Sequence, residues 1–148
     1  FILPGYNVRP IEMLCAIGIE HLKKLPEFLK HRRENAKYFQ KLFQNDERFI
    51  IQKEIESSSW FGFSFLIDEK SGIRRENVIN ALTEANIDTR PIVAGNFARK
   101  EVVKWFDYEI QGNLLNADYI DRNGFFVGNH QFDIKDNLEY LKKVLQHV

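Results

Sequence analysis

The chain has 148 residues, 44% of them hydrophobic and 28% charged, which is enough for one domain with a core of its own. Lys plus Arg and Asp plus Glu balance at 21 each, so no net field draws the chain to nucleic acid or to an anionic membrane. Any anion has to be held by a local site. The single cysteine, Cys15, excludes an internal disulfide and suits a reducing compartment, so a cytoplasmic location is expected. No apolar run reaches the roughly 20 residues of a membrane span. The chain opens without Met on Phe1-Ile2-Leu3 before Pro4-Gly5, lacks the layout of a signal peptide, and reads as a piece of a longer polypeptide.

From Pro10 to Lys24 the residues Ile11, Leu14, Cys15, Gly18, Ile19 and Leu22 recur at three and four, the spacing of one helix face. Pro10 fits the first helical position, and Glu12 suits the helix dipole. Pro26 disfavours a helical Leu25, so a kink or break is expected there, followed by a second helix to about Phe43. The inner face of that second helix would be Phe28, Leu29, Ala36, Phe39, Leu42 and Phe43.

Beyond Asn45-Asp46 the period shortens to that of strands, at Phe49 to Gln52 and at Phe61 to Ile67, where Phe61, Phe63 and Phe65 would form one aromatic face. Arg74 to Ala85 reads as a helix with Val78, Ile79, Leu82 and Ala85 inward, stopped by Asn86 in the left-handed region. Asp88 to Val93 reads as extended, ended by Gly95-Asn96, with short helices expected over Lys100 to Phe106 and Leu114 to Asp121. Gly124 to Val127 is a further strand, and Asp133 and Asp136 open a last helix bearing Leu138, Leu141, Val144 and Leu145. The expected fold class is α+β: long N-terminal helices over residues 1–44, then a small, mostly antiparallel sheet domain over 45–148 with helices on one face.

No glycine-rich phosphate loop, metal-spaced Cys and His set or linked Ser, His and Asp is present, so no catalytic centre and no metal site is visible. Three places are candidates for binding. Asn7 and Arg9 stand just before a helix N-terminus, where a phosphate would fit, although an ordinary helix start explains them too. Arg90, held extended before Pro91, is aimed at a carboxylate or phosphate, or else forms a surface ion pair. His130 lies in the glycine-bearing turn after a strand, as a ligand group or as a plain turn residue. Trp60 and Trp105 suit either stacking on a base or sugar, or core packing.

Several segments resemble the DegT/DnrJ/EryC1/StrS family of pyridoxal-phosphate (PLP) dependent sugar aminotransferases and dehydratases: Gly5-Tyr6-Asn7-Val8-Arg9-Pro10-Ile11-Glu12, Ala16-Ile17-Gly18, Leu22-Lys23-Lys24-Leu25 and Ser58-Ser59-Trp60-Phe61-Gly62-Phe63. Thr89 to Asn96, Asn116 to Tyr119 and Gly124 to His130 are similar to a narrower branch, the nucleotide-linked 4-keto-6-deoxyhexose 3-dehydratases. The resemblance implies the smaller C-terminal domain of a fold-type I subunit, and a homodimer with the active site at its interface. It also implies PLP or pyridoxamine phosphate as cofactor, and a nucleotide-linked sugar and glutamate as substrates in lipopolysaccharide or deoxysugar biosynthesis. By the same analogy Asn7 reaches across to the partner subunit's cofactor phosphate, Arg9 lies beside the substrate, Arg90 approaches the substrate or the glutamate that recharges the cofactor, and Asn96 and His130 face the substrate. The family's Schiff-base lysine, or the histidine replacing it in the dehydratases, would lie upstream of Phe1, so no catalytic role falls on this chain and it would be inactive by itself. The alternative is a stand-alone domain that binds an anionic metabolite or a partner protein without catalysis.

Overall fold

The computed structural model describes residues 11–148, so Asn7, Arg9 and Pro10 lie outside the described residues. In chain order the elements are α1 (Glu12–Phe43), β1 (Phe49–Ile51), β2 (Gly62–Ile67), α2 (Arg75–Glu84), α3 (Leu115–Asn123), β3 (Gly124–Gly128) and α4 (Lys135–Leu145). Short 3-10 turns at Phe97–Arg99 and Glu101–Trp105 fill the stretch before α3. The expected α+β class holds, with one antiparallel three-stranded sheet of order β1-β2-β3.

Of the kink or break expected at Pro26, the break does not occur: α1 runs through it as one helix of 32 residues, about 48 Å at the helical rise. A proline removes one amide donor and leaves the carbonyl one turn back without its partner. Every residue from 11 to 27 is exposed, so water can take up that carbonyl and the helix need not end. The described helix begins at Glu12 after an extended Ile11. Its second half enters the core through Asn35, Ala36, Phe39 and Phe43.

Alternation along β2 and β3 builds a sheet with two unlike faces. Phe63, Phe65 and Ile67 point to one side, and across the antiparallel register they lie opposite Val127, Phe125 and Phe49 respectively. Phe39 of α1 stacks on Phe63 at 4.4 Å and 16°, and Phe65 stacks on Phe125 at 5.0 Å and 7°. Phe39 also meets Phe65 edge-on at 5.2 Å, which closes the set into one aromatic block. Such pairs contribute about 0.5–1.5 kcal/mol each beyond the area they bury. Val78 and Leu82 of α2 and Leu138, Leu141 and Leu145 of α4 complete this core.

Phe61 does not join the aromatic face that the sequence suggests. Trp60 adopts a left-handed conformation (φ 49°) that breaks the alternation, so the indole is buried at 1% exposure while Phe61 is 82% exposed. Several hydrogen bonds hold this uncommon backbone. Arg32 donates to the carbonyls of Ser59 and Trp60 at 3.0 and 2.6 Å, and the Trp60 amide donates to Ser58 Oγ. Asn129 Nδ2 donates to the same Trp60 carbonyl and to that of Arg32.

Asn35, 1% exposed, ties α1 to the turn after β3. Its Nδ2 donates to Asn129 Oδ1 and to the carbonyls of His130 and Phe132, and its Oδ1 accepts from the Ile134 amide. Replacing Asn35 by Ala strands these buried groups. Urea unfolding is expected to show a loss of about 1–3 kcal/mol, the cost of unsatisfied buried polar groups; an unchanged midpoint would mean the amide is dispensable.

Candidate functional site

The second face of the sheet carries the even-numbered residues and is far less covered. Ser64 lies opposite Phe126 across β2 and β3, and Phe126 in turn pairs with Arg90 through two backbone hydrogen bonds of 3.0 and 2.8 Å. The extended strand expected over 88–93 therefore shortens to this one bridge. Beyond it Val93 (φ 50°) and Gly95 (φ 62°) turn the chain away from the sheet edge. Continuing the β1–β2 register past Ile51 brings Gln52 opposite Ser64, so one row across the sheet reads Gln52, Ser64, Phe126, Arg90.

Glycine keeps this row low. A Cβ on Gly62 would meet Phe126 Cδ2 and the Val127 carbonyl oxygen, both at 2.8 Å, so the Phe126 ring lies across the bare glycine and leans on Phe61 at 5.9 Å. Arg90, Phe61 and Phe126 together form a ridge between two hollows. One, of about 610 Å³, is lined by Gln52, Ser58 and Ser64. The other, of about 790 Å³, is lined by Asp88, His130, Phe132, Asn137 and Tyr140 over an apolar floor.

Arg90 differs from the other seven arginines among the described residues, each of which has a hydrogen-bond or ion-pair partner. Arg32, Arg33 and Arg75 donate to carbonyls, while Arg48, Arg74, Arg99 and Arg122 face Asp46, Glu76, Asp118 and Glu69. The Arg90 guanidinium has none among the described residues, so the surface ion pair that the sequence left open is not formed. His130 shares the larger hollow with Arg90, its backbone fixed by a 2.8 Å hydrogen bond to Asn129 Oδ1 and its ring stacked on Phe132 at 4.9 Å.

Asn96 is placed elsewhere, 3% exposed, with its Nδ2 donating to Asp118 at 2.7 Å and its Oδ1 accepting from the Ala98 amide. Arg99 grips the same Asp118 carboxylate with two hydrogen bonds, at 2.5 and 2.7 Å. A Cβ on Gly95 would overlap the Asp121 carboxylate, so only glycine lets this loop close onto α3. Asn96, Asp118 and Gly95 thus fasten to α3 the loop that leaves Arg90. Trp60 is a core residue, whereas Trp105 is 63% exposed.

Sequence reasoning missed Gln52, Ser64 and Phe126 as lining of the groove, although the alternation of β2 and β3 put them on the face opposite the core. It also missed Asn35 and Asn129, which sit among polar neighbours and carry no pattern of their own. Among the described residues no His, Cys, Asp and Glu group is suited to a metal ion, and no helix is long and apolar enough to cross a membrane.

The sequence profile described as the DegT/DnrJ/EryC1/StrS aminotransferase family matches residues 2–132, and the chain belongs to that family. It is similar to the GDP-4-keto-6-deoxy-D-mannose 3-dehydratase of Escherichia coli O55:H7, at 52% identity over 147 residues, 99% of this chain and 38% of that protein. Two solved structures of GDP-4-keto-6-deoxymannose-3-dehydratase superpose with a TM-score of 0.90 at 52% identity over 98% of this chain and 38% of theirs. One is a mutant with bound GDP-perosamine and the other holds a trapped PLP-glutamate geminal diamine. The chain spans about 38% of the length of these relatives.

The hydrogen bonds from Arg99 and Asn96 hold the Asp118 carboxyl down from its ordinary 3.8 to about 2. A carboxyl with a lowered folded-state pKa stabilises the fold above its unfolded value and loses that contribution as pH falls through the folded one. The difference in thermal midpoint between the native chain and Asp118→Asn is expected to be full above pH ~4 and to shrink toward pH ~2. A difference that does not change over that range would show that the Asp118 charge does not hold the loop.

Proposed function

We propose that this chain is the C-terminal, substrate-facing part of a PLP-dependent enzyme that acts on a GDP-linked 4-keto-6-deoxyhexose, removing the C3 hydroxyl. The observation that carries the reading is the Arg90 guanidinium on the open face of the sheet, without a partner among the described residues, in a chain 52% identical over 99% of its length to a dehydratase of that substrate. Burying an anion against a free guanidinium gives charge-assisted hydrogen bonds that a water-exposed arginine lacks. Ser64 and Gln52 offer a hydroxyl and an amide beside it, suited to the hydroxyl groups of a sugar.

The described residues suit the binding of such a substrate, since they supply a cation, neutral hydrogen-bonding groups and the aromatic rings of Phe61 and Phe126. They do not form a phosphate cradle for the cofactor. Asn7, outside the described residues, is the position assigned to the cofactor phosphate, and Arg9 is assigned to the substrate beside it. When bound, PLP or pyridoxamine phosphate supplies an electron sink for charge developing next to it, with glutamate as the amino donor. Arg90 and His130 hold and orient the sugar nucleotide, and Asn96 acts at one remove through Asp118 and the loop. A homodimer whose clefts lie between subunits completes the reading.

Two measurements on the full-length polypeptide test it. The first adds PLP, follows the visible spectrum, reduces with borohydride and looks for covalent attachment by mass spectrometry. Bound but unattached PLP is expected for a dehydratase. Attachment would instead indicate an anchoring lysine and amination at C4, and no PLP binding would return the chain to a binding or interaction module. The second replaces Arg90 by Ala and measures steady-state kinetics. KM for the nucleotide sugar is expected to rise about 10- to 100-fold, the equivalent of one or two charge-assisted hydrogen bonds, and Arg90→Lys to recover part of it. An unchanged KM would remove Arg90 from the site.

A further inference from the structure

Away from the open face, a further polar hollow opens at the free edge of the sheet. The order β1-β2-β3 leaves β1 with one unpaired edge, and α1 packs on the sealed face beside it. Lys37, Gln40, Lys41 and Gln44 recur along α1 at three and four, so they share one helix face, and that face is turned toward the end of β1. Ile51 pairs with Phe65 of the sealed face, and the chain leaving β1 brings Gln52 and Lys53 to the same place. The hollow holds about 450 Å³, within the range of small-molecule sites, and apart from Ile51 its wall is polar.

Cationic charge gathers here with nothing to balance it. Lys37, Lys41 and Lys53 come from two elements and meet with no carboxylate among the lining residues. None of the three makes an ion pair with another described residue, and the side-chain amides of Gln40, Gln44 and Gln52 make no hydrogen bond among the described residues. The carboxylates nearest to these lysines in sequence are engaged elsewhere. Glu34 lies 3.8 Å from His31, Asp46 faces Arg48 at 2.8 Å, and Glu54 accepts from the Ser58 amide at 2.8 Å. Like charges held together on a folded surface repel, and an anion among them relieves that repulsion.

The lining also limits which anion fits. A single carboxylate would meet one ammonium group and leave the others facing each other. It is moreover the planar partner that an arginine fork matches, and the hollow has no arginine. A lysine ammonium is a compact point charge that meets phosphate oxygens from any direction. Two linked phosphates present oxygens on enough sides to engage all three lysines, with the glutamine N–H groups donating to those that remain. No aromatic side chain lines the hollow, so it offers no stacking surface to a base. We propose that the hollow between α1 and the β1 edge binds a compact diphosphate, of which inorganic pyrophosphate is the simplest form, through Lys37, Lys41 and Lys53. Gln52 borders both this hollow and the Arg90 groove. Three strand spacings, about 14 Å, nevertheless separate Gln52 from Arg90 along the row, and the α1 lysines lie on the other side of β1. The proposal does not rest on the reading of the Arg90 groove as a nucleotide-sugar site.

The experiment is calorimetric titration of the full-length polypeptide with inorganic pyrophosphate at fixed ionic strength. Pyrophosphate is expected to bind with the same Kd in the native protein, in the native protein saturated with GDP, and in Arg90→Ala. Lys37→Gln, Lys41→Gln and Lys53→Gln combined, all at exposed positions, are expected to weaken it about tenfold or more. Lys70→Gln, Lys104→Gln and Lys143→Gln combined remove the same charge from exposed positions elsewhere and are expected to leave Kd unchanged. Absence of pyrophosphate binding overturns the proposal. Equal weakening in the two triple variants overturns it too, because net charge alone would then be responsible. Competition by GDP, or loss of binding in Arg90→Ala, would place the diphosphate in the Arg90 groove and overturn it as well. Failure to bind PLP with pyrophosphate binding retained would overturn the nucleotide-sugar reading and leave this proposal standing.

Discussion

The stack that runs from Phe39 through Phe63 and Phe65 to Phe125 is the constraint on which the rest depends. Because strand side chains alternate, committing the odd positions of β2 and β3 to this block leaves the even positions no choice of face. Gly62, Ser64, Phe126 and Gly128 are turned outward together, and a slip of one residue would turn Ser64 inward while exposing Phe63, Phe65 and Phe125. The open face is thus fixed by the same packing that holds the fold, with no interaction of its own needed to set its register.

What that face becomes is decided at its edges. Asn35 and Asn129 pin the turn after β3 to α1, which brings His130 over one end of the sheet. On the other side Asp118 collects Asn96 and Arg99, and Gly95 lets the backbone reach the Asp121 carboxylate. Arg90 lies between these two anchors and is itself held by backbone hydrogen bonds to Phe126 alone. Its backbone is fixed, and its side chain has no partner among the described residues. A buried amide and a paired carboxylate thus serve the site without facing it, as supporting groups around a binding constellation are required to do.

Most of the fold was legible where periodicity and burial agree. The inner residues of the second half of α1, the aromatic run of β2, the Asn86 stop and the apolar stripe of α4 all follow from spacing. The misread places are those where a local rule met a non-local partner. Pro26 should end a helix, but lies where solvent can satisfy the freed carbonyl. Phe61 should continue an alternation that the Trp60 turn interrupts, and that turn is stabilised by Arg32 and Asn129, which lie 28 and 69 residues away. Asn96 looked like a ligand group because its loop does, yet its partner Asp118 is 22 residues on. Arg90 was legible as a candidate, but its freedom from an ion pair could be known only once every other described arginine had been placed.

That last point bears on how a chain with no net charge holds an anion. With 21 cationic and 21 anionic side chains there is no general field to draw a ligand in, and a local cation already paired with a carboxylate would have to give up that partner to bind one. The described arginines near carboxylates are neutralised or spent on carbonyls that support turns. Arg90 alone among them keeps all its donors available, on the ridge it shares with Phe61 and Phe126 and beside Asp88, which likewise has no partner among the described residues. The two do not pair with each other although only Thr89 separates them. Leaving both apart gives up a surface ion pair worth at most about 1 kcal/mol. An anion meeting Arg90 and a hydrogen-bond donor meeting Asp88 would each gain a charge-assisted hydrogen bond, stronger than that pair. The arrangement therefore favours a ligand carrying both an anionic group and a hydrogen-bond donor over one that carries either alone.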